Sequence, residues 1–290
     1  MDGLAAAVVV VDRAGLMATR KFYKMSGSGN DFVIFDTRHE GAGALDDQVV
    51  IQALCARGTG VGADGLVFLD EADDTSGADV RMRYFNSDGL HASMCGNAAL
   101  CVTRLATDLA AAPRSGMHIQ TDAGVLAARM VAATPEVDLP QVSQVTTDMP
   151  IARAPGEQRM GFCRPGVPHL VVLCADVAPI DVISRGRALR RDPALQPGGA
   201  NIDFVSRGDN GSWSIRTYER GVEGETLACG TGAIAVAILL AAWGDSGLET
   251  NLITHSGRLV SVRLRREGDV WYPSLRGEGR LVFTGQLADR

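Results

Sequence analysis

The chain carries a weak internal repeat, which limits the folds that it can adopt. Three segments of the first half recur in the same order in the second half: 83–86 as 216–219, 94–99 as 228–233, and 121–126 as 254–259. An apolar stretch of helical character follows the middle segment in each half. Self-similarity of this kind is typical of a duplicated structural unit. We therefore expect two related domains, each built from a strand, a Cys-Gly turn, a buried helix and a further strand.

The secondary-structure pattern contains more strands than helices. Helical character is found at 46–57, 97–111, 181–190 and 231–243. Apolar runs of strand character lie at 32–36, 66–70, 80–85, 125–131, 169–173, 214–218, 258–264 and 280–285. Many short strands with few helices favour the α+β class with much antiparallel pairing.

The polar segment 140–156 is the expected junction between the two domains. The first domain then spans residues 1–145 and the second spans 146–277, so that each carries one Cys-Gly turn. One more strand-like run follows the second domain, and we expect residues 278–290 to return to the first.

Composition and charge exclude several functional classes. The chain of 290 residues is 46% apolar and 21% charged, which is typical of a globular protein. It has no apolar run of ~18 residues for a membrane helix. Its net charge of −6, without a basic run, argues against nucleic-acid binding. Residues 1–16 lack the basic start and the cleavage site of a secretory signal, so we interpret them as a loose extension before an alternative start at Met17.

The six cysteines form no CxxC pair, and the five histidines show no metal-binding spacing. A chain of this length does not need disulfides to build a core. Without an export signal, its thiols are expected to be reduced. We predict a cytoplasmic protein that acts on a small molecule, with no metal, no membrane partner and no nucleic-acid partner, and we expect a homodimer.

Residues 60–65, GVGADG, fit the G-x-G-x-x-G pattern of dinucleotide-binding loops. Such a loop must follow a strand and open a helix, whereas here the helix-like 46–57 comes first and a strand follows. We therefore interpret 60–65 as a glycine-rich turn with left-handed positions.

Cys95 and Cys229 occupy equivalent positions in the two halves, each in a Cys-Gly turn directly before an apolar helix. Unpaired N–H groups and the helix dipole favour an anion at a helix N-terminus, and this location is expected to lower a thiol pKa. Two thiols on opposite walls of a cleft would remove a proton from one face of a carbon and return another to the opposite face. We predict an enzyme that inverts a stereocentre by acid–base chemistry, and we interpret the other four cysteines as buried small side chains.

The same helix N-termini offer a place for the carboxylate of an amino acid. Backbone N–H groups of Gly96, Asn97, Gly230 and Thr231 are expected to hold it and to stabilise the charge that develops as the Cα proton leaves. Racemisation through pyridoxal phosphate needs a Schiff-base lysine, and the chain has only two lysines, both in the expected first strand. We therefore predict a reaction without a cofactor.

A set of polar residues lies at the expected strand ends, where the side chains together would line a small polar pocket. They are Asn30, Asn86, His169, Asn201, Glu219 and Arg220. Arg220 suits a second carboxylate of the substrate, because a guanidinium binds carboxylates in a bidentate manner.

These motifs resemble the diaminopimelate epimerase family from about Lys21 to the C-terminus. The matching stretches are SGSGNDFV (26–33), GVGADG (60–65), YFNSDG (84–89), MCGN (94–97), PH (168–169), NIDFV (201–205) and YERG…ETLACGTGA (218–233). The resemblance implies two pseudo-symmetric domains, each a strand-rich, barrel-like sheet around a central helix, with the active site in the cleft between them. It implies cofactor-independent interconversion of LL- and meso-2,6-diaminopimelate, on the route to lysine and peptidoglycan.

The resemblance also implies a role for each matching site residue. Cys95 and Cys229 are the acid/base thiols, and His169 and Glu219 set their protonation and orientation. Substrate contacts are implied for Asn30, Asn86, Gly96, Asn97, Asn201, Glu219, Arg220, Gly230 and Thr231.

Three positions depart from the pattern of the family. Val167 stands where an asparagine often precedes the Pro-His pair, Gly65 where a glutamine often follows the aspartate, and Ala98 where a glycine usually continues the MCGN turn. A related two-thiol racemase for histidine or of broad specificity is therefore the alternative. Proline racemase-like enzymes typically carry CGH at the first turn, and Asn97 argues against them.

Two alternatives of a different class do not use the thiols as acid and base. Phenazine-type isomerases on the same scaffold lack the thiol pair, which this chain retains. A redox-sensing binder would join Cys95 and Cys229 in a disulfide across the cleft, and we interpret such a bond as an inactivating oxidation.

Overall fold

The computed structural model of the protein describes residues 20–208 and 211–287. The expected N-terminal extension 1–16 and the alternative start at Met17 lie outside the described residues. The helices are α1 (Gln48–Cys55), α2 (Gly96–Asp108), α3 (Val182–Arg190) and α4 (Gly230–Trp243), with short 3₁₀ helices at Gly43–Asp46 and Pro193–Leu195.

The strands of the first half lie between residues 21 and 138, and those of the second half lie between residues 145 and 286. The first set is β1 (Lys21–Gly27), β2 (Asn30–Asp36), β3 (Gly65–Asp70), β4 (Val80–Asn86), β5 (His91–Ala92), β6 (Met117–Thr121), β7 (Gly124–Val131) and β8 (Thr134–Asp138). The second set is β9 (Val145–Thr146), β10 (Glu157–Cys163), β11 (His169–Cys174), β12 (Asn201–Arg207), β13 (Trp213–Glu219), β14 (Gly224–Thr226), β15 (Glu249–Ile253), β16 (Leu259–Glu267), β17 (Val270–Arg276) and β18 (Arg280–Gln286).

The α+β class predicted from the sequence is confirmed, and all four predicted helices are present. Each predicted strand is present as well. The strands that the sequence pattern missed include the very short β5, β9 and β14, and also β8 and β17, each of which contains a proline. Proline weakens a strand pattern because it cannot donate a ladder hydrogen bond.

The strand pairing of the first half is repeated in the second half. β2 pairs in parallel with β3, β3 antiparallel with β4, and β4 in parallel with β6. The second half repeats these pairings: β11 pairs in parallel with β12, β12 antiparallel with β13, and β13 in parallel with β15. The two halves are joined where β17 pairs with β8, and the C-terminal β18 pairs with the N-terminal β1.

The two long helices form the centre of this arrangement. Residues 232–240 of α4 are all buried, and α2 is buried along most of its length. A helix that is apolar on every side requires a protein environment all round it, and both helices contribute to one hydrophobic cluster that spans the two halves. Among the described residues, no helix is both long enough and apolar enough to cross a membrane.

Candidate functional site

Cys95 and Cys229 cap the N-termini of α2 and α4. Both residues are extended, with φ of −138° and −135°, and their carbonyl groups accept the first helical hydrogen bonds, from the N–H groups of Ala99 and Ala233. The preceding N–H groups of each first turn have no helical acceptor. The predicted placement of both sulfur atoms at helix N-termini is thus observed.

The first turns of α2 and α4 meet at Leu275 of β17. A Cβ atom built on Gly96 or on Gly230 would lie 3.2 Å from the Cδ2 atom of Leu275 in either case. The one on Gly230 would also lie 3.3 Å from Asn97 Oδ1 of the other helix. The glycine after each cysteine therefore lets two helix N-termini converge on one point. Neither Cys95 nor Cys229 forms a disulfide, and both residues are half-buried.

The sequence-based expectation for the thiol pKa is wrong in direction. Burial raises the pKa of Cys95 to about 11, although the N–H groups of Asn97 and Ala98 act in the opposite direction. Burial also raises the pKa of Cys229 well above its usual range, and the Glu219 carboxylate raises both further. Loss of hydration disfavours a thiolate more strongly than a helix terminus stabilises it here. Both shifts favour the thiol form over the thiolate at neutral pH.

A chain of buried polar groups leads away from Cys229. Its Sγ atom lies 3.4 Å from Thr231 Oγ1, which lies 2.9 Å from His169 Nε2. His169 Nδ1 lies 2.7 Å from Asp203 Oδ2, and both of these side chains are fully buried. Thr217 donates to the other oxygen of Asp203 at 2.8 Å.

The direction of these hydrogen bonds follows from their neighbours. Asn201 Oδ1 accepts from the backbone N–H of Arg220 at 2.8 Å, so Asn201 Nδ2 is left to donate to His169 Nε2 at 3.2 Å. His169 Nε2 is then an acceptor, and the ring proton lies on Nδ1 and is donated to Asp203. The Thr231 hydroxyl donates to His169 and accepts from the Cys229 thiol.

The absence of a side chain at Gly232 lets the carboxylate of Asp203 approach the start of α4. A Cβ atom at this position would lie 2.4 Å from Asp203 Oδ1, which is closer than any side chain tolerates. The sequence Cys-Gly-Thr-Gly thus supplies a thiol, a converging backbone, a hydroxyl link and a space for the buried carboxylate.

A second polar network orients Asn97 beside Cys95. Arg57 donates to Asp64 at 2.7 Å, and Asp64 accepts from Asn30 Nδ2 at 3.0 Å. Since a carboxylate only accepts, Asn30 Oδ1 faces Asn97 and accepts from Asn97 Nδ2 at 2.7 Å. The remaining amide oxygen, Asn97 Oδ1, is buried and has no hydrogen-bond partner. An orphaned acceptor at the meeting point of the helices fits a ligand that donates.

Asn86 and Glu219 end the equivalent strands β4 and β13. Asn86 is exposed, and Glu219 is half-buried at the site. Burial raises the pKa of the Glu219 carboxyl. The Glu219 carboxylate raises the pKa of both thiols by charge repulsion.

Arg220 lines a cavity of about 420 Å³. The wall of this cavity includes Val167, Pro168 and Gly198, and an Arg220 guanidinium nitrogen lies 3.5 Å from the Gly198 carbonyl oxygen. The cavity adjoins His169 through Pro168, which precedes it in the chain and lines the cavity wall.

Most residues predicted for the site lie at this meeting point of the two halves, whereas Asn86 is exposed at the end of β4 and Arg220 lines the neighbouring cavity. The sequence reasoning missed several residues that hydrogen-bond to the site. They are Arg57, Asp64, Asp203 and Thr217. A period of two on a strand would have indicated Asp203, because it shares a face with Asn201. The glycine-rich turn at 60–65 is confirmed as a turn that leads into β3, with a positive φ at Gly62. Within residues 20–208 and 211–287, no group of His, Cys, Asp or Glu is arranged to hold a metal ion.

Comparison with solved structures finds the same fold in other proteins. The chain matches a hydroxyproline epimerase from Agrobacterium vitis with a TM-score of 0.69 at 16% identity, covering 94% of this chain and 93% of the other. It matches a PhzF-family phenazine biosynthesis protein from Bacillus anthracis with a TM-score of 0.72 at 15% identity, covering 94% and 100%. The chain shares its fold with these proteins, one of which is an epimerase.

Proteins of related sequence identify the family of this chain and show that it is an isomerase. The sequence profile of the diaminopimelate epimerase family matches residues 22–145 and 162–272. The diaminopimelate epimerase of Gemmatimonas aurantiaca is 47% identical over 276 residues, which cover 92% of this chain and 99% of the relative. That of Aquifex aeolicus is 36% identical over 277 residues, which cover 93% and 98%. The chain belongs to the diaminopimelate epimerase family, and the resemblance seen in its motifs is confirmed.

Proposed function

We propose that the protein interconverts LL- and meso-2,6-diaminopimelate by proton transfer at Cα, without a cofactor, in the formation of lysine and peptidoglycan precursors. The observation that carries this proposal is the convergence of two helix N-termini, each capped by a thiol, on Leu275. A Cα held at this point would have one sulfur atom on each face, as inversion by two groups requires.

The reacting amino acid is oriented by complementary charges. The free N–H groups of both first turns suit the α-carboxylate, because they converge and both helix dipoles favour an anion. The orphaned Asn97 Oδ1 suits the α-ammonium group, since it can only accept. Asn30 then acts through Asn97, because its two amide atoms already bind Asp64 and Asn97. The carboxylate in this position stabilises the charge that flows from Cα as the proton leaves.

The proton of Cys229 moves inward rather than to solvent. The thiol donates to Thr231, and Thr231 donates to His169 Nε2, so one concerted shift leaves a thiolate on Cys229 and a protonated imidazole on His169. Asp203 accepts from Nδ1 and stabilises the positive ring. The thiolate takes the Cα proton from one face, and the Cys95 thiol gives its proton to the other face. In the reverse direction the two sulfur atoms exchange roles.

The distal end of the substrate is proposed to occupy the cavity next to Pro168. Arg220 would bind the second carboxylate there, since it lines the cavity and directly follows Glu219 of the site. Asn201 fixes the backbone of Arg220 and the ring of His169, so it couples the two ends of the site. Asn86 is proposed as a further contact to this end.

The alternative substrate is another amino acid, histidine above all, or a broad range of them. The observation that favours it is Val167, an apolar side chain on the cavity wall that is 36% exposed and offers no hydrogen bond to a distal ammonium group. Gly65 likewise presents no side chain to the site.

The test is turnover of LL-2,6-diaminopimelate by purified, reduced protein without added pyridoxal phosphate or metal. Chiral chromatography with mass detection would follow the meso product, with histidine and proline as parallel substrates. We expect meso-diaminopimelate, and much slower racemisation of the two monocarboxylic amino acids. Faster turnover of histidine would overturn the substrate assignment while leaving the two-thiol chemistry in place.

A homodimer is proposed through β18. Among the described strands, β18 pairs only with β1, so its other edge is open. Its successive residues Leu281, Val282 and Phe283 are exposed by 43 to 47%. An open apolar edge strand is a surface that pairs readily with another strand, and a second copy satisfies it by symmetry. Sedimentation should give twice the chain mass of 30.6 kDa, and Phe283→Lys should give a monomer. A monomeric unmodified protein would overturn this proposal.

A reducing compartment, the cytoplasm, is proposed from the six cysteines, all of which are unpaired. Alkylation of denatured protein directly after cell lysis should label six thiols, and labelling of fewer would contradict the assignment.

We also propose that residues 1–145 and 146–277 form the two domains and that the C-terminal residues belong to the first, which the pairing of β18 with β1 supports.

A further inference from the structure

The turn between β13 and β14 carries Arg220 and contains a residue with an unusual backbone conformation. Glu223 has a φ of +57°, in the left-handed region that residues with a side chain rarely adopt. Its backbone N–H donates to the carbonyl oxygen of Glu219 at 2.8 Å and closes the turn. Such a conformation persists only where surrounding contacts favour it, so we expect the Glu223 side chain to be held by its neighbours.

Three donors bind the Glu223 carboxylate. The Gly221 N–H donates to Oε1 at 3.2 Å, and Arg190 Nη2 lies 2.9 Å from the same oxygen. The Tyr218 hydroxyl donates to Oε2 at 3.0 Å. Tyr218 and Gly221 stand on either side of residues 219–220 in the chain, so one carboxylate holds the chain before and after the two site residues.

Two of these donors belong to well-packed elements of the second half. Tyr218 lies in β13 and is fully buried. Helix α3 packs closely on it, because a Cβ atom at Gly186 would lie 2.4 Å from Tyr218 Cβ. Arg190 is the last residue of α3. The Glu223 carboxylate therefore ties the turn to β13 and to α3 at the same time.

The equivalent turn of the first half is held by a helix in a different way. Gln48 and Gln52 of α1 donate to the carbonyl oxygen of Asp88 at 3.2 and 2.6 Å. Asp88 lies in the turn after β4, which ends at Asn86 as β13 ends at Glu219. In both halves, a helix other than the two central ones thus fixes the turn that follows a predicted site residue.

We infer that Glu223 is a positioning residue for Arg220, which it holds beside the cavity through the N–H group of the next residue. This inference rests on the proposed function, in which Arg220 binds the distal carboxylate of the substrate. The backbone N–H of Arg220 itself donates to Asn201 Oδ1 at 2.8 Å. Asn201 and Glu223 therefore fix the two successive N–H groups between which the Arg220 side chain leaves the backbone, and a bidentate contact to a carboxylate needs such a fixed origin.

The first measurement is the hydrogen exchange of the Gly221 N–H in the protein without substrate, resolved to single amides by NMR. Glu223→Gln keeps the size of the side chain but removes its charge and one acceptor oxygen. Glu223→Gly suits a left-handed backbone but has no carboxylate. Since hydrogen bonds to charged groups are among the strongest, we expect the Gly221 N–H to exchange about tenfold faster in both variants.

The second measurement separates KM from kcat. Glu223→Gln should raise KM for diaminopimelate about tenfold, by loss of one charged hydrogen bond behind Arg220. It should change kcat little, because the Glu223 side chain touches neither thiol. KM for a monocarboxylic amino acid should also change little, since such a substrate has no distal carboxylate. A merely structural role would give no such difference between the two substrates.

Glu267→Gln is the matched control. Glu267 is an exposed carboxylate at the end of β16 and pairs with Arg265. Removal of its charge should alter neither the exchange of the Gly221 N–H nor KM. Circular dichroism checks that each variant is folded.

The outcomes separate this inference from the proposed function. Unchanged exchange at Gly221 in folded Glu223→Gln or Glu223→Gly would overturn the role of Glu223. Equally faster exchange along the whole chain would overturn it too, because it would indicate a general loss of stability. An equal rise in KM for both substrates would contradict the link to Arg220. Exchange needs no substrate, so it decides whether Glu223 holds the turn even if diaminopimelate is not turned over and the proposed function fails.

Discussion

Replacing Thr231 with valine removes the hydroxyl that connects Cys229 to His169 and changes the volume of the side chain little. Thr231 Oγ1 lies 3.4 Å from the thiol and 2.9 Å from the imidazole nitrogen. Without this oxygen atom, Cys229 can lose its proton only to solvent. The backbone N–H of residue 231 stays in place, so the proposed carboxylate site is retained.

The size of the effect follows from the thiol pKa. Burial and the nearby carboxylates hold the pKa of Cys229 well above its usual range. A thiol with a raised pKa depends on the relay to lose its proton, and proton transfer by a positioned group contributes at least about 100-fold to a rate. We therefore expect Thr231→Val to lower kcat/KM about 100-fold at pH 8, which corresponds to about 2.7 kcal/mol of transition-state stabilisation.

The pH profile distinguishes the relay from a simple loss of activity. In the unmodified protein the proton stays within the site, so kcat/KM should change little between about pH 7 and pH 9. In Thr231→Val the thiolate must form by loss of a proton, so kcat/KM should rise about tenfold for each pH unit. Thr231→Ser keeps the hydroxyl and should restore both the rate and the flat profile. A flat profile with near-normal turnover in Thr231→Val would refute the relay.

Three further changes test other parts of the site. Cys95→Ser should abolish most turnover while the melting temperature stays close to that of the unmodified protein, because the volume changes little; near-normal turnover would remove this thiol from the mechanism. Arg220→Ala should raise KM about 10- to 100-fold for diaminopimelate, by loss of a charged hydrogen-bonding pair, and far less for a monocarboxylic amino acid; equal effects would mean that Arg220 does not bind the distal carboxylate. Gly232→Ala should lower the free energy of unfolding by about 1–3 kcal/mol, since its Cβ atom would lie 2.4 Å from a buried carboxylate oxygen. Gly247→Ala is the matched control, because a Cβ atom there meets nothing within 4 Å, and equal losses in denaturant unfolding would contradict the argument.

Much of the fold could be predicted from the sequence, because most helices and strands show a clear pattern of apolar residues within their own segment. The apolar runs of α2 and α4 are long, and each begins directly after a Cys-Gly turn, so the bounds of both helices were nearly correct. β17 was missed because Pro273 interrupts its alternation, although its pairing with β16 and β8 stabilises it. Tertiary contacts of this kind override local propensity.

The chemistry of the site could be predicted only in part. Equivalent positions in a repeat identified the two cysteines, but the direction of their pKa shift depends on burial, which the contact of the two halves at Leu275 creates. A helix N-terminus alone suggests a lowered thiol pKa, whereas the assembled site raises it.

The fate of solvent deuterium during a single passage through the reaction tests the central claim most directly. LL-2,6-diaminopimelate is incubated with the protein in D₂O, and the deuterium content of substrate and product is measured at early times. Two thiols on opposite faces of Cα predict that meso product carries deuterium at the inverted centre while the remaining substrate still carries hydrogen. Product that retains the substrate's own hydrogen, or substrate that gains deuterium as fast as product forms, would indicate a single base and contradict the account.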